Sequence, residues 1–173
     1  MPLSLHAAVV PSAQQILASV ARLVDKAEAW CQEKDLPPAE LIGARLAPDM
    51  HPFAYQVKST VVHSWGAIEG VRRGVFAPDL TPPPESFAGL RERLEVARNG
   101  LGALDPAELE GFIGRDVRFE FGDRSMDFAA EEFLLSFSQP NFYFHATTAY
   151  DILRWKGLPI GKRDFTGRVR VRR

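Results

Sequence analysis

Apolar residues recur at alternating steps of three and four along the first part of the chain. They form one stripe, made of Val9, Val10, Ala13, Ile16, Leu17, Val20, Leu23, Val24, Ala27, Trp30 and Cys31. A stripe of this kind is the buried face of an amphipathic helix. Pro37-Pro38 ends the pattern, because proline cannot donate a backbone hydrogen bond inside a helix. We therefore predict a long helix over roughly residues 4–34.

Two further runs repeat this period. The second has its apolar face at Phe53, Val57, Val61, Ile68 and Val71, and the third has its apolar face at Phe87, Leu90, Leu94, Ala97, Leu101 and Leu104. Gly74 ends the second run, and the third run begins after Pro82-Pro83-Pro84. Asp105-Pro106-Ala107-Glu108 then has the order of an N-cap, a first-turn proline and an acidic first turn. This order predicts a short helix after the third long one.

The pattern changes to strict alternation after residue 115. Val117-Arg118-Phe119-Glu120-Phe121 and the stretch from Ser125 to Phe128 flank Gly122-Asp123, which indicates a small β-hairpin. A last apolar helix is expected from Ala129 to Lys156, kinked or divided at Pro140. Four long amphipathic runs predict an all-α fold, a four-helix bundle with the hairpin inserted before the last helix. We expect residues 1–173 to form one domain.

Composition excludes several functional classes. The 173 residues include 21 basic and 22 acidic side chains, so no excess of positive charge favours a nucleic-acid or membrane partner. The basic tail, from Arg168 to Arg173, is expected to be a solvated surface. Cys31 is the only cysteine, and the start at Met1-Pro2 shows no signal-peptide pattern. The expected location is therefore the cytoplasm.

Histidine is the scarce reactive side chain, with four residues in the chain. His145 and Asn141 lie one turn apart on the inward face of the last helix, while His63 lies at the edge of the apolar face of the second helix. We predict that these three side chains approach one another and hold a divalent ion such as Zn, Ni, Fe or Mn. Alternatively the site holds no metal, and the imidazoles bond a backbone carbonyl or the hydroxyl of a neighbour such as Thr60, Thr147 or Tyr143.

A family resemblance enters at the same residues. The stretch from Pro140 to Arg154, Gly157 and the run from Gly161 to Gly167 resemble a bacterial family of uncharacterised proteins, and a second similar region runs from Met50-His51-Pro52-Phe53 to His63. This family belongs to the DinB-like superfamily of metal-dependent four-helix bundles. The resemblance implies a metal triad of one histidine on the second helix and a His-x-x-x-His pair on the last.

Carried over by position, His63 matches the first ligand of that triad and His145 the last. Asn141 stands in the place of the middle histidine. A neutral amide oxygen is a poorer ligand than imidazole for a first-row transition metal, so this departure weakens or disables the implied site. Related branches of the superfamily include thiol-dependent transferases, which use the metal to deprotonate a thiol.

Two functions from different classes follow. In the first, the chain is a divalent-metal-dependent enzyme that activates a thiol or water in a cleft between helices. In the second, it is a metal-free module that binds a small molecule or forms a dimer, with a vestigial metal site. The sequence identifies no catalytic residue and no substrate. A homodimer is expected from the resemblance and from apolar residues near the ends of the first helix, among them Leu3, Leu5 and Trp30.

Overall fold

The computed structural model describes residues 3–172, so the expectations for Met1, Pro2 and Arg173 lie outside the described residues. Nine helical segments are seen in this range: α1 (Leu5–Glu33), α2 (Ala39–Ile42), α3 (Phe53–Val61), α4 (Ala67–Arg73), α5 (Phe87–Ala103), α6 (Pro106–Glu110), α7 (Ala130–Glu132), α8 (Gln139–Trp155) and α9 (Lys162–Thr166). The strands are β1 (Val75–Phe76), β2 (Asp116–Phe121) and β3 (Arg124–Ala129). Two π-helical segments, Val62–Gly66 and Phe133–Ser138, join α3 to α4 and α7 to α8.

The four predicted long helices form the bundle, which confirms the predicted fold. They are α1, the α3–α4 pair, α5 and the α7–α8 pair; α3 packs mainly against α8, and α1 packs mainly against α5. The apolar stripes meet in one core. Leu17, Leu90 and Ile152 are fully buried there, one each from α1, α5 and α8. The fold is therefore stabilised by burial of the residues that carry the period of 3.6.

Helix α1 has close to the predicted bounds and buries most of its predicted apolar stripe. Ser4 caps its first turn by accepting a hydrogen bond from the backbone N–H of Ala7 at 3.1 Å. By length and composition α1 could cross a membrane, a test that a core helix of a soluble protein also passes. Its apolar stripe packs against α5 and α8, as in a soluble domain. Leu5 belongs to this core, whereas Leu3 is exposed, so of these two residues Leu3 alone is available for the expected dimer contact.

Both long helices that carry candidate site residues contain a π-helical segment. In the last helix this segment ends at Ser138, and Pro140 follows in the first turn of α8. Proline has no N–H to donate to the preceding turn, and the widened π-helical turn lies where that hydrogen bond is missing. The helical backbone runs from Ala130 to Trp155 without a gap, so the expected division at Pro140 is absent, and the helix instead changes from π-helical to α-helical turns just before the proline.

The predicted hairpin is present and has a third strand. Strands β2 and β3 pair antiparallel, with Phe119 opposite Met126, and Gly122 adopts a φ of 57° in the turn. Strand β1 pairs parallel to β2, with Phe76 opposite Phe119. The sequence did not predict β1, because two residues cannot show a period of two. This strand joins the hairpin to the end of α4 and places the buried ring of Phe76 against the bundle.

Candidate functional site

The structure brings the rings of His63 and His145 close together and nearly parallel. His63 lies in the first π-helical segment and His145 lies on α8, and their ring centroids are 5.7 Å apart with 14° between the ring planes. The close packing of α3 against α8 produces this arrangement. Both rings are half-buried, so they can contact a small molecule without being freely solvated.

The two π-helical segments meet at this point. Ser138, the last residue of the second segment, donates its hydroxyl to the backbone carbonyl of His63 at 3.1 Å, and the same oxygen lies 3.4 Å from Nδ1 of His63. Single π-helical turns occur often at functional sites, because they rotate side chains out of the regular helical register. Sequence reasoning missed both segments, since a one-residue shift barely changes the period of 3.6. The nearest signal was Pro140, two residues after Ser138.

The hydrogen-bond partner of His145 is Gln56 on α3. The Gln56 side chain accepts at Oε1, 2.7 Å from Nδ1 of His145, and its Nε2 donates to the carbonyl of His51 at 2.9 Å. Thr60, one of the partners expected from the sequence, instead donates to the carbonyl of Gln56 at 2.9 Å. Thr147 is exposed. In the sequence, Gln56 could be recognised only as a member of the polar stripe that contains His63.

Asn141 lies one turn before His145 on α8, as expected, but its side chain is held by its own helix. Its Nδ2 donates to the carbonyl of Phe137 at 2.7 Å. The amide nitrogen is therefore engaged, and Oδ1 is the atom of this side chain that can offer lone pairs to a cation. The structure thus places the two imidazoles together, whereas the side chain of Asn141 is bonded to its own helix and makes no described contact with either ring.

Both imidazoles are neutral at physiological pH. Burial, with a smaller contribution from the positive charge that His145 would carry, lowers the pKa of His63 to about 4. Burial also lowers the pKa of His145 to about 4, with a smaller contribution from His51. A buried imidazole loses its hydration when protonated and finds no carboxylate here to compensate. The neutral form is the one that ligates metals and accepts protons.

Aromatic rings line the site on both sides. Those of Phe76 and Phe137 lie 5.6 and 6.0 Å from the His63 ring, and that of Tyr55 lies 6.1 Å from the His145 ring. These contacts are apolar or edge-on, which explains why burial dominates the pKa of both histidines. A ligand bound at the pair would therefore meet an apolar wall on the side of His63.

A small cavity lies behind His63. Its volume is about 20 Å³, and its polar lining consists of His63, Ser64, Ser138, Gln139 and Tyr143, with apolar residues around them. This volume holds a single water molecule, which needs roughly 10–15 Å³. The cavity can thus hydrate the inner side of the imidazole but cannot admit a substrate.

The donor set fits a two-imidazole cation site. Two ring centres that share one ion lie up to about 6 Å apart when each metal–nitrogen bond is about 2.0–2.1 Å, and the observed 5.7 Å meets this condition. An ion also has to lie in the plane of each ring, so the two rings, 14° from parallel, would have to turn a nitrogen of each toward it. Within residues 3–172, no group of three or more His, Cys, Asp or Glu side chains is arranged to hold an ion. The nitrogen donors that the structure brings together are therefore His63 and His145, and a ligand role of Asn141 stays a prediction from the family resemblance.

Comparisons with known proteins agree with this architecture. No curated protein matches the chain. The crystal structure of a DinB family member protein from Shewanella denitrificans superposes with a TM-score of 0.81 and 24% sequence identity, covering 98% of this chain and 95% of that one. This similarity establishes a DinB-like fold. The sequence profile described as Domain of unknown function (DUF1993) matches residues 5–166, and the chain therefore belongs to the DUF1993 family.

Proposed function

We propose that this DinB-like protein is a divalent-metal-dependent enzyme that activates a thiol or water at the pair formed by His63 and His145. The observation that carries the proposal is the pair itself: two half-buried imidazoles with ring centroids 5.7 Å apart, each with its pKa lowered to about 4. Burying two neutral imidazoles side by side costs free energy without improving the core, which favours a ligand role.

Each residue has a definite task in this proposal. His63 and His145 supply neutral nitrogen ligands, and Asn141 supplies an oxygen donor one turn from His145. The chemistry supplied by such an ion, when bound, is the deprotonation of water or a thiol near neutral pH. The apolar wall of Phe76 and Phe137 limits water at the reacting atoms and favours a substrate with an apolar portion.

Metal content of protein purified without a histidine tag tests this proposal. Wild-type protein equilibrated separately with Zn, Ni, Fe(II) and Mn should retain about one equivalent of at least one ion, measured by inductively coupled plasma mass spectrometry. His63→Ala and His145→Ala should lose it, whereas His6→Ala, a control on α1, should retain it. Equal metal content in wild-type protein and the double variant at His63 and His145 would rule the metal site out.

Asn141→His provides a gain-of-function arm. If Asn141 stands in the place of a ligand, an imidazole there should raise the affinity for Zn or Ni by at least tenfold, because imidazole is the better donor. An unchanged affinity would show that this position does not face the ion. Such a result would leave His63 and His145 as the only protein ligands.

The second candidate is a metal-free module that binds a small molecule. It is favoured by one observation: both imidazoles already have polar neighbours in the protein, Gln56 for His145 and Ser138 for His63. In that case no variant changes metal content. His145→Ala then lowers the free energy of unfolding by about 1–3 kcal/mol, because Gln56 loses its partner in a buried position.

A further inference from the structure

Gln56 is a buried polar side chain that belongs to neither the metal donors nor the apolar core. Its residue is 2% exposed, and its amide bridges the carbonyl of His51, before α3, and Nδ1 of His145, on α8. Both contacts are short, at 2.9 and 2.7 Å. The side chain therefore has two fixed neighbours and little room to rotate.

The chemistry of these neighbours determines which way the amide points. A backbone carbonyl only accepts hydrogen bonds, so the group of Gln56 that faces His51 must be the NH₂. Oε1 of Gln56 then faces His145, and an amide oxygen also only accepts. Nδ1 of His145 must therefore carry the hydrogen. Since a neutral imidazole has a single N–H, the lone pair lies on Nε2.

We infer that Gln56 is a positioning residue that fixes the tautomer of His145, with the proton on Nδ1 and the lone pair on Nε2. The inference rests on the proposed function only for the use made of Nε2, as a metal ligand or a base. Because the carbonyl of His51 can only accept, it determines the direction of both hydrogen bonds made by Gln56. A reversed amide would set two oxygens facing each other at His51, so the opposite tautomer is disfavoured even though Gln56 could donate to it.

This arrangement has the form that supports metal-binding histidines. The nitrogen that does not bind the ion donates to a fixed acceptor, which sets both the tautomer and the ring orientation. His63 has a weaker counterpart, because Oγ of Ser138 lies 3.4 Å from its Nδ1 and already donates to a carbonyl. His145 is thus the histidine of the pair whose free nitrogen is defined by the protein before any ligand arrives.

Long-range ¹H–¹⁵N correlation spectra of metal-free protein test the inference directly. With ¹⁵N-labelled histidine at about pH 8, where imidazoles are neutral, His145 should show a protonated Nδ1 and an unprotonated Nε2. Gln56→Met removes the acceptor with little change in shape and should shift His145 toward the Nε2–H form. Gln56→Glu retains an acceptor and should keep the proton on Nδ1, at a cost in stability because its second oxygen then faces the carbonyl of His51.

Gln14→Met is the matched control. Gln14 lies on α1 and its amide donates to the carbonyl of Arg98 at 2.7 Å, so the substitution removes a similar hydrogen bond away from the histidines. Its spectrum should match that of wild-type protein for His145. A purely structural role of Gln56 would lower stability in Gln56→Met without changing the tautomer, and that result would overturn the inference.

Zn affinity, measured separately, distinguishes this inference from the proposed function. If both hold, Gln56→Met should weaken Zn binding by about 10- to 100-fold, and Gln56→Glu should restore most of it. A wild-type protein that shows the Nδ1–H tautomer but binds no metal would refute the proposed function and support the inference. A wild-type protein with Nε2–H at His145 would overturn the inference whether or not metal binds.

Discussion

Acidification from about pH 7.5 to about pH 5 should destabilise the metal-free protein through His63 and His145. In the folded protein both have a pKa of about 4, against an ordinary value of 6.5. The unfolded chain therefore takes up protons at a higher pH than the folded protein does. As a result, the contribution of these two histidines to the free energy of unfolding is fully present above pH 6.5, falls as pH decreases from 6.5 to 4, and changes no further below that range.

The expected magnitude follows from these two values. At about pH 5 an imidazole with a pKa of 6.5 is almost fully protonated and one with a pKa of 4 is about one-tenth protonated, which lowers stability by about 2 kcal/mol per histidine. The pair together should lower it by about 4 kcal/mol, a large share of a typical 5–15 kcal/mol. Asp79, whose burial is outweighed by hydrogen bonds from Thr81 and by Lys58, has its pKa lowered to about 2, so its effect lies below this window.

Urea unfolding in the presence of a chelator, followed by circular dichroism at several pH values, measures this effect. His145→Gln and His63→Gln should each remove about half of the pH dependence between pH 7.5 and 5. His6→Gln, on α1, should retain the wild-type dependence. A midpoint of unfolding that stays constant over this range in wild-type protein would refute the argument that both imidazoles are buried in the neutral form.

Two predictions of stability concern other parts of the fold: the packing of a glycine on α5 and the buried ion pair of Lys58. Gly100→Ala on α5 should lower the free energy of unfolding by about 1–3 kcal/mol, because a Cβ there would lie 2.5 Å from the ring of Trp65. Gly102→Ala on the same helix, where the nearest atom would be 3.4 Å away, should instead raise it by about 0.5–1 kcal/mol in urea unfolding. Lys58→Met should cost on the order of 3 kcal/mol in the same assay, because the buried amine bonds the Asp79 carbonyl at 2.7 Å and pairs with its carboxylate at 3.1 Å. A Lys58→Met protein as stable as wild type would show that this buried ion pair is not needed.

The helices were predictable because each contributes many residues to one repeating pattern. Leu17, Leu90 and Ile152 lie in the core as their spacing indicates. The approach of His63 to His145 could also be predicted from the helical periodicity, since both residues lie on faces that neighbouring helices turn toward each other. The use of the pair to hold a metal stays a prediction.

The local chemistry of the site could not be predicted in the same way. Gln56 bonds His145 because α3 and α8 pack at a particular distance and rotation, and no sequence period contains that information. Nδ2 of Asn141 bonds the carbonyl of Phe137. The sequence places Asn141 on the inward face but does not determine the rotation of its side chain, which selects this hydrogen bond. The π-helical segments insert one residue into a turn, which moves His63 relative to the rest of its stripe without disturbing the apolar pattern.

Strand β1 affects the pKa of His63, because it carries Phe76, whose ring lies against the imidazole. Its pairing with β2 holds the buried ring of Phe76 5.6 Å from the ring of His63, and it packs this ring against Phe133 at 5.1 Å. Gly70 makes the approach possible, because a Cβ at that position would lie 2.9 Å from Phe76. The hairpin therefore contributes to the site by excluding water from one side of His63.

Phe76→Leu should consequently raise the pKa of His63 from about 4 toward its ordinary value of 6.5. Leucine keeps an apolar side chain at β1 but covers less of the imidazole, so water reaches the ring and stabilises the charged form. The pKa of His145, whose ring contacts Tyr55 on the other side of the pair, should change less. Histidine NMR titration of metal-free protein measures both values in one experiment. Equal shifts of the two histidines would indicate general loosening of the bundle, and an unchanged His63 would show that helices alone bury it.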